Sequence, residues 1–447
     1  MFGRRLNRIL LVLSIIGATI PLSGKNAQAV PSFKRQTGMS CTACHTVFPE
    51  LTPFGRSFKL NGYVFSRSGK PYEYPPPLAG LVQMSYTEQK GLQNRIDPFD
   101  DSAEAKFVVP QQASAFYAGR IYDKLGAFIQ VTYDGVGNDV ALDLTDIRYA
   151  NHFDLGGKDL TYGFTINNNP TVEDVWNSSP AFGFPYGGSS VSVNPAAGTI
   201  IDGTLASQVG GIGAYAMWNN LVYAEASVYR TNHKGITRPL GAGTETDTVV
   251  DGAAPYWRVA LQHQWGKQSL SLGTYGMWAK IYPAGSTSGP TDTFTDLALD
   301  AQYQFIGGKH LFSLATTWIH EKQDWDANFA LGGAANPSDR LETFRINANY
   351  HYRSTWGTLG GNAAYFSTYG DTDGGLYAPA SVTGSLNGSP DSRGFILQAN
   401  YVLREQYKFV LQYTLYDRFN GATTNYDGSG RNASDNNTLY ALIWLMF

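Results

Sequence analysis

The chain has 447 residues, a formal net charge of −3 and only 15% charged side chains, which argues against a polyanion-binding surface and against a nucleic-acid partner. Glycine (49), tyrosine (28), phenylalanine (24) and tryptophan (9) are abundant, a make-up unlike that of a collapsed water-soluble globule. Cysteine occurs twice, so no disulfide framework holds the chain together.

Residues 1–29 read as a secretory signal peptide. Arg4, Arg5 and Arg8 form a positive start, Ile9 to Leu22 an apolar run, and Ala27-Gln28-Ala29 a small-residue cleavage site. The apolar run is too short to span a bilayer, so the mature chain is expected to begin near Val30.

Residues 30–77 carry both cysteines, in Cys41-Thr42-Ala43-Cys44-His45. This is the spacing at which haem c is attached: two thiols on one turn bond the macrocycle, and the adjacent imidazole of His45 becomes an axial ligand of the iron. A thioredoxin-like pair needs a surrounding βαβ pattern, and a structural zinc site needs a second ligand pair; neither is present. Export agrees with the motif, since haem c is joined to its thiols after export. Thr52-Pro53 reads as a helix start and Gly62 as its stop, with Phe54 and Phe58 one turn apart on a common apolar face. About fifty residues are marginal for an independent core. Such a helix covers one haem edge, and a surrounding barrel supplies the missing walls; a tethered cytochrome beneath an ordinary pore is the competing arrangement. Tyr72-Glu73-Tyr74-Pro75-Pro76-Pro77 is a stiff link to the long C-terminal part of the chain.

Residues 78–447 alternate apolar and polar side chains with period two. Phe344-Arg345-Ile346-Asn347-Ala348-Asn349-Tyr350-His351-Tyr352-Arg353 shows it, as does Leu297-Ala298-Leu299-Asp300-Ala301-Gln302-Tyr303-Gln304-Phe305. Segments of this kind predict an all-β fold, a transmembrane antiparallel β-barrel of about sixteen strands. Tight links (Gly266-Lys267, Gly307-Gly308-Lys309, Asn219-Asn220) alternate with long polar loops such as Asn168 to Leu205, Thr231 to Ala253, Glu321 to Asp339 and Gly370 to Asp391. That predicts short periplasmic turns, long external loops and both termini in the periplasm. The last segment, Leu439 to Phe447, ends on an aromatic and resembles the signal read by outer-membrane assembly machinery. His320-Glu321 begins a metalloprotease-like pattern, but Asp324 takes the place of its second histidine. The acidic run Asp97 to Asp101, with Glu104, suits a solvated loop or a cation-gathering mouth.

Both parts together resemble a known family, the outer-membrane fused cytochrome c–porins that act as iron oxidases. The likeness is densest in Val30 to Gly38, in Cys41 to His45, and in Phe48-Pro49-Glu50-Leu51-Thr52-Pro53-Phe54-Gly55-Arg56 through Phe58 to Tyr63; over the barrel it is architectural only. The resemblance implies one covalent haem c, oxidation of extracellular Fe(II) or another donor, and electron delivery to a periplasmic cytochrome or other carrier. Rival readings are a diffusion pore whose haem is structural or regulatory, and a conduit running outward.

The iron's second axial ligand is sought in the barrel. Met39 lies too close to Cys41 to reach the opposite face of the haem. A charge facing lipid near the midplane costs about 2–4 kcal/mol, so Arg345 points inward, and His351 shares its parity just above the turn at Ser354 to Gly357. His351 is therefore the first candidate. His152, beside Arg148 on a strand with a parity slip near Asp146, ranks below it. His263 and Met84 fall on the outward parity.

Overall fold

The structure is a computed structural model describing residues 31–65, 76–90, 105–231 and 248–447. The signal peptide and its cleavage site, the link from Tyr72 to Pro75 and the acidic run from Asp97 to Glu104 lie outside the described residues.

Three helices open the chain: α1 (Pro31–Thr37), α2 (Cys41–Cys44) and α3 (Pro53–Leu60). The barrel wall comes next. Its first half is β1 (Leu78–Gln89), β2 (Ala105–Tyr122), β3 (Leu125–Asp134), β4 (Asp139–Asp154), β5 (Asp159–Asn167), β6 (Val209–Trp218), β7 (Val222–Thr231) and β8 (Ala254–Trp265). The second half is β9 (Gln268–Tyr282), β10 (Asp292–Ile306), β11 (His310–Asp324), β12 (Ser338–Ser354), β13 (Gly357–Gly370), β14 (Ser392–Leu403), β15 (Tyr407–Arg418) and β16 (Thr438–Met446). A seventeenth piece, Val249–Val250, only extends the pairing of β9, so sixteen strands make the wall. Every neighbouring pair is antiparallel, and β1 pairs both with β2 and with β16, Leu81 standing opposite Met446. The sheet is closed, and no edge remains to satisfy, as a lipid environment requires. Among the described residues no helix is long and apolar enough to cross a membrane, so the strands are the crossing elements.

Alternation decides which face is which. On β10, Leu297 and Leu299 are exposed outside while Ala298, Asp300, Gln302 and Gln304 are buried inside. On β14, Phe395 and Leu397 face out while Gln398 and Asn400 face in. Exposed aromatics gather at both rims, Trp265, Trp356 and Phe447 at the end with the tight turns, Phe107, Trp278 and Tyr369 at the other. The tight turns take the backbone such hairpins need; Asn219 and Asn220 adopt φ values of 52° and 51° between β6 and β7. Both ends of the barrel chain, Leu78 and Phe447, lie at this tight-turn rim, where the Phe447 and Gly80 backbones pair.

Two sequence expectations need correcting. The parity slip on β4 falls at Asp143, the extra residue between Leu142 and Leu144 in the register with β3, not at Asp146. The longest loop, residues 168–208, does not decorate the exterior. It folds into the barrel, burying Val172, Val175 and Trp176 completely, and its Ser207 amide returns to the Asn168 carbonyl (3.0 Å). Its middle is tied to the opposite wall. Asp202 pairs with Arg345, and the Ile201 amide donates to Asp296 (2.9 Å).

Candidate functional site

The cysteine motif forms a single tight turn. The helix α2 closes with the His45 amide donating to the Cys41 carbonyl (2.9 Å), and His45 then pairs with Leu51 as the chain doubles back. Thr52 fastens this turn onto the next helix. Its amide donates to the Cys44 carbonyl (2.9 Å), its hydroxyl donates to the Ala43 carbonyl (2.6 Å) and accepts from the Gly55 amide (3.2 Å), capping α3. Gly55 has no room for a side chain: a Cβ there would lie 2.2 Å from the Cys44 carbonyl oxygen. Asn61 ends α3, with Gly62 following in the left-handed region at φ 67°, where glycine is favoured.

The two phenylalanines of α3 do not share a buried face. Phe58 is buried, edge-on to Phe33 at 5.1 Å, while Phe54 is 36% exposed and meets the ring of Phe65. Barrel wall and lumenal loop cover one side of the helix and bury Arg56 and Lys59, while Phe54 and Ser57 stay exposed.

Inward side chains bind this segment from several sides. On one, Arg353 donates to the His45 carbonyl (2.8 Å) and more distantly to those of Thr42 and Thr46, while Lys408 donates to the Phe48 carbonyl (2.9 Å). Glu405, in the tight turn between β14 and β15, accepts from the Cys41 amide (3.4 Å) and Lys34 (3.5 Å). On another, Arg56 donates to Gln302 (2.6 Å) and Gln304, Tyr215 to the Leu60 carbonyl (2.6 Å), and Tyr63 to Asp146. The lumenal loop contributes as well: Lys59 donates to the Val172 and Asp174 carbonyls (2.6 and 2.8 Å), and Asn177 accepts from the Leu51 amide (2.9 Å). Burial pulls the Lys59 ammonium down to about 7 and the Arg56 guanidinium down to about 10.

Near the motif the inner wall turns apolar. Cys41, Val47 and Phe48 pack with Leu81, Phe116, Ala118, Val402 and Met446, where a water-filled lumen would present polar groups. Cys41 and Cys44 form no disulfide, and each is partly exposed. The His45 Nδ1 is buried without a hydrogen-bond partner, and burial draws the imidazole down to about 4, so it stands neutral, the form that ligates a metal.

The remaining histidines divide clearly. His351 is inward, 3% exposed, with its Nδ1 buried and unpartnered. His152 also turns inward, but both ring nitrogens are engaged, Nε2 with Asn61 (2.6 Å) and Nδ1 with Thr161 (3.0 Å) and Asp159 (3.2 Å). It tethers the end of α3 and has no nitrogen to spare. His263 is outside, stacked on Trp265, and Met84 is on the outward parity. The clamps Arg353 and Lys408 and the buried Arg56 and Lys59 were not assigned roles by the sequence. Parity places Arg353 inside, yet nothing in a strand pattern tells what such a side chain will meet.

Two thiols on one turn, a neutral imidazole beside them and an apolar wall against one side fit a covalently attached haem. Among the described residues no group of three or more histidine, cysteine or acidic side chains is arranged to hold a bare metal ion.

Fold and site together define a transmembrane sixteen-strand β-barrel that carries a thiol–imidazole turn inside its lumen. No protein-family model matches the chain, and no curated protein matches it. Solved structures similar in fold are outer-membrane porins. The DcaP channel of Acinetobacter baumannii aligns over 83% of this chain and 96% of its own (12% identity, TM-score 0.47). The anion-selective porin of Comamonas acidovorans aligns over 83% and 98% (13%, 0.46), and a loop-deleted OmpT of Vibrio cholerae over 83% and 98% (12%, 0.45).

Proposed function

We propose that this protein resides in a bacterial outer membrane and moves single electrons through one c-type haem, borne on Cys41, Cys44 and His45, between a donor outside the cell and a periplasmic electron carrier. Fe(II) is the proposed donor, on the resemblance carried by the N-terminal segment. The observation that supports this reading best is the location of the Cys41–His45 turn, inside the lumen and bonded to the wall by Arg353, Lys408 and Glu405. Electron tunnelling falls steeply with distance, and the apolar band of such a barrel is roughly 25 Å tall. The motif is held at the tight-turn end of the lumen, within reach of a carrier at that rim, and it leaves a shorter path to the outer mouth than a centre hanging below the rim. A c-type haem, when bound, supplies reversible one-electron chemistry, so no general acid, base or nucleophile is required.

The chain's own residues do the holding. Thr52 and Gly55 set the turn against α3, and Arg56 and Lys59 fix α3 to wall and loop. Val47, Phe48 and the apolar wall cover one side of the turn. The girdled apolar exterior supports contact with outer-membrane lipid, and the shared rim of both termini is the one assigned to the periplasm.

A diffusion channel with a structural or regulatory haem is the second reading, favoured by the closed barrel. Two measurements on the purified protein in detergent or bilayer decide. Covalent haem in a denaturing gel, together with reduction of the oxidised haem by Fe(II) in stopped-flow, is expected. Pigment lost to acid acetone ends the haem assignment. A haem that Fe(II) leaves oxidised ends the donor assignment, and open-pore conductance with an inert haem establishes the channel.

A further inference from the structure

His351 is the one buried imidazole outside the cysteine motif whose ring nitrogens make no hydrogen bond among the described residues. Its seat is specific. In the register of β12 with β13 it stands opposite Gly360, and a Cβ at Gly360 would lie 2.0 Å from Nδ1, 2.6 Å from Cε1 of the same ring and 2.6 Å from Asn400 Oδ1. Only glycine leaves the slot in which this ring lies, and glycine within a strand marks such a close approach. With Nδ1 and Cε1 against the wall, Nε2 makes no hydrogen bond among the described residues. An uncharged ring buried with unused nitrogens forfeits hydrogen bonds that water would supply, unless something else takes them up.

The wall that holds His351 is also the wall that holds the motif. Arg353 is two residues further along β12 on the same face, about 7 Å away by strand spacing. It donates to the His45 carbonyl at 2.8 Å. Lys408, on the same stretch of wall, holds the Phe48 carbonyl. Strand pairing is stiff, so tying the motif to Arg353 fixes His45 relative to His351.

We propose that His351 would be the second protein ligand of a haem iron borne on Cys41, Cys44 and His45, and that Gly360 is the positioning residue that seats its ring. This rests on the haem reading above. The alternatives are poorer: His152 has both nitrogens bonded, and Met446 lies packed in the apolar cluster with Cys41 itself.

The test uses the full-length protein matured with its haem. Wild type is expected to give the absorption and paramagnetic resonance spectra of a six-coordinate low-spin haem. His351→Ala is expected to lose the low-spin signal and to regain it with added imidazole. His351→Met is expected to stay six-coordinate with a raised midpoint potential, since methionine favours the reduced iron. Gly360→Ala, which keeps the ligand but crowds its seat, should give a mixed-spin spectrum, and His152→Ala the wild-type one. Migration of unheated samples in detergent gels monitors folding of each barrel. A low-spin spectrum unchanged in folded His351→Ala overturns the assignment while covalent haem remains; absence of covalent haem from wild type overturns the parent reading instead. If His351→Ala fails to fold, a His351→Met potential equal to that of wild type overturns it equally.

Discussion

Lys59 offers a measurement of how firmly the N-terminal segment is docked. The residue is 6% exposed, its ammonium donates to two carbonyls of the lumenal loop, and burial lowers its pKa from 10.5 to about 7. An undocked segment returns Lys59 to water and to the ordinary value. Between pH 7 and 10.5 the undocked form therefore holds the extra proton, and docking strengthens as pH rises; below pH 7 the whole penalty is present. The interval of 3.5 from 10.5 to 7, at about 1.4 kcal/mol for each pH step of one, corresponds to about 5 kcal/mol. The undocked fraction should then fall by up to about tenfold per pH step within that window. Lys59→Met removes the titration and leaves the Val172 and Asp174 carbonyls without their donor, at about 1–3 kcal/mol each. The variant should be less protected than wild type at pH 9.5, and the two should converge toward pH 7. The assay is cleavage of residues 31–65 by a broad-specificity protease in lipid-reconstituted barrels, normalised at each pH to a free peptide of the same sequence, because such cleavage follows the open population. A flat wild-type profile, or an equal slope in Lys59→Met, refutes the reasoning.

Gly55→Ala drives a Cβ to 2.2 Å from the Cys44 carbonyl, an overpacking of about 1–3 kcal/mol. The ratio of covalent haem to polypeptide should drop while the barrel still migrates as folded; an unchanged ratio argues against the tight packing of turn on helix. Leu299→Arg, at the middle of β10 and 53% exposed on the outer face, should lower barrel stability in lipid vesicles by about 2–4 kcal/mol. An unchanged urea midpoint would contradict the lipid-facing assignment.

The wall was legible because a period of two carries its own proof. A single intolerable charge such as Arg345 sets the parity for a whole strand, and His351 and Arg353 then fall inside with it. The bulge at Asp143 was displaced to Asp146 because a slip shows only as a change of parity, and nearby residues of either parity tolerate it. Residues 168–208 were misread because glycine, serine, asparagine and proline suit a loop in either location. The apolar Val172, Val175 and Trp176 were the available signal of burial. The motif itself needed only spacing. Its surroundings, Arg56, Lys59 and Lys408 above all, come from parts of the chain hundreds of positions apart, and a buried cation bonded to carbonyls leaves no pattern in sequence.

The bonds of the N-terminal segment reach β4 through Tyr63 and Asp146, β10 through Arg56, and β12 and β15 through Arg353 and Lys408. No early portion of the chain contains that set of partners. The segment precedes its partners in the chain, so its full set of bonds can form only once β15 is in place. Assembly therefore has an order written into it. Cys41 and Cys44 stay partly exposed in the closed barrel, yet a bulky group meets fewer walls if it is loaded while the barrel is still an open sheet.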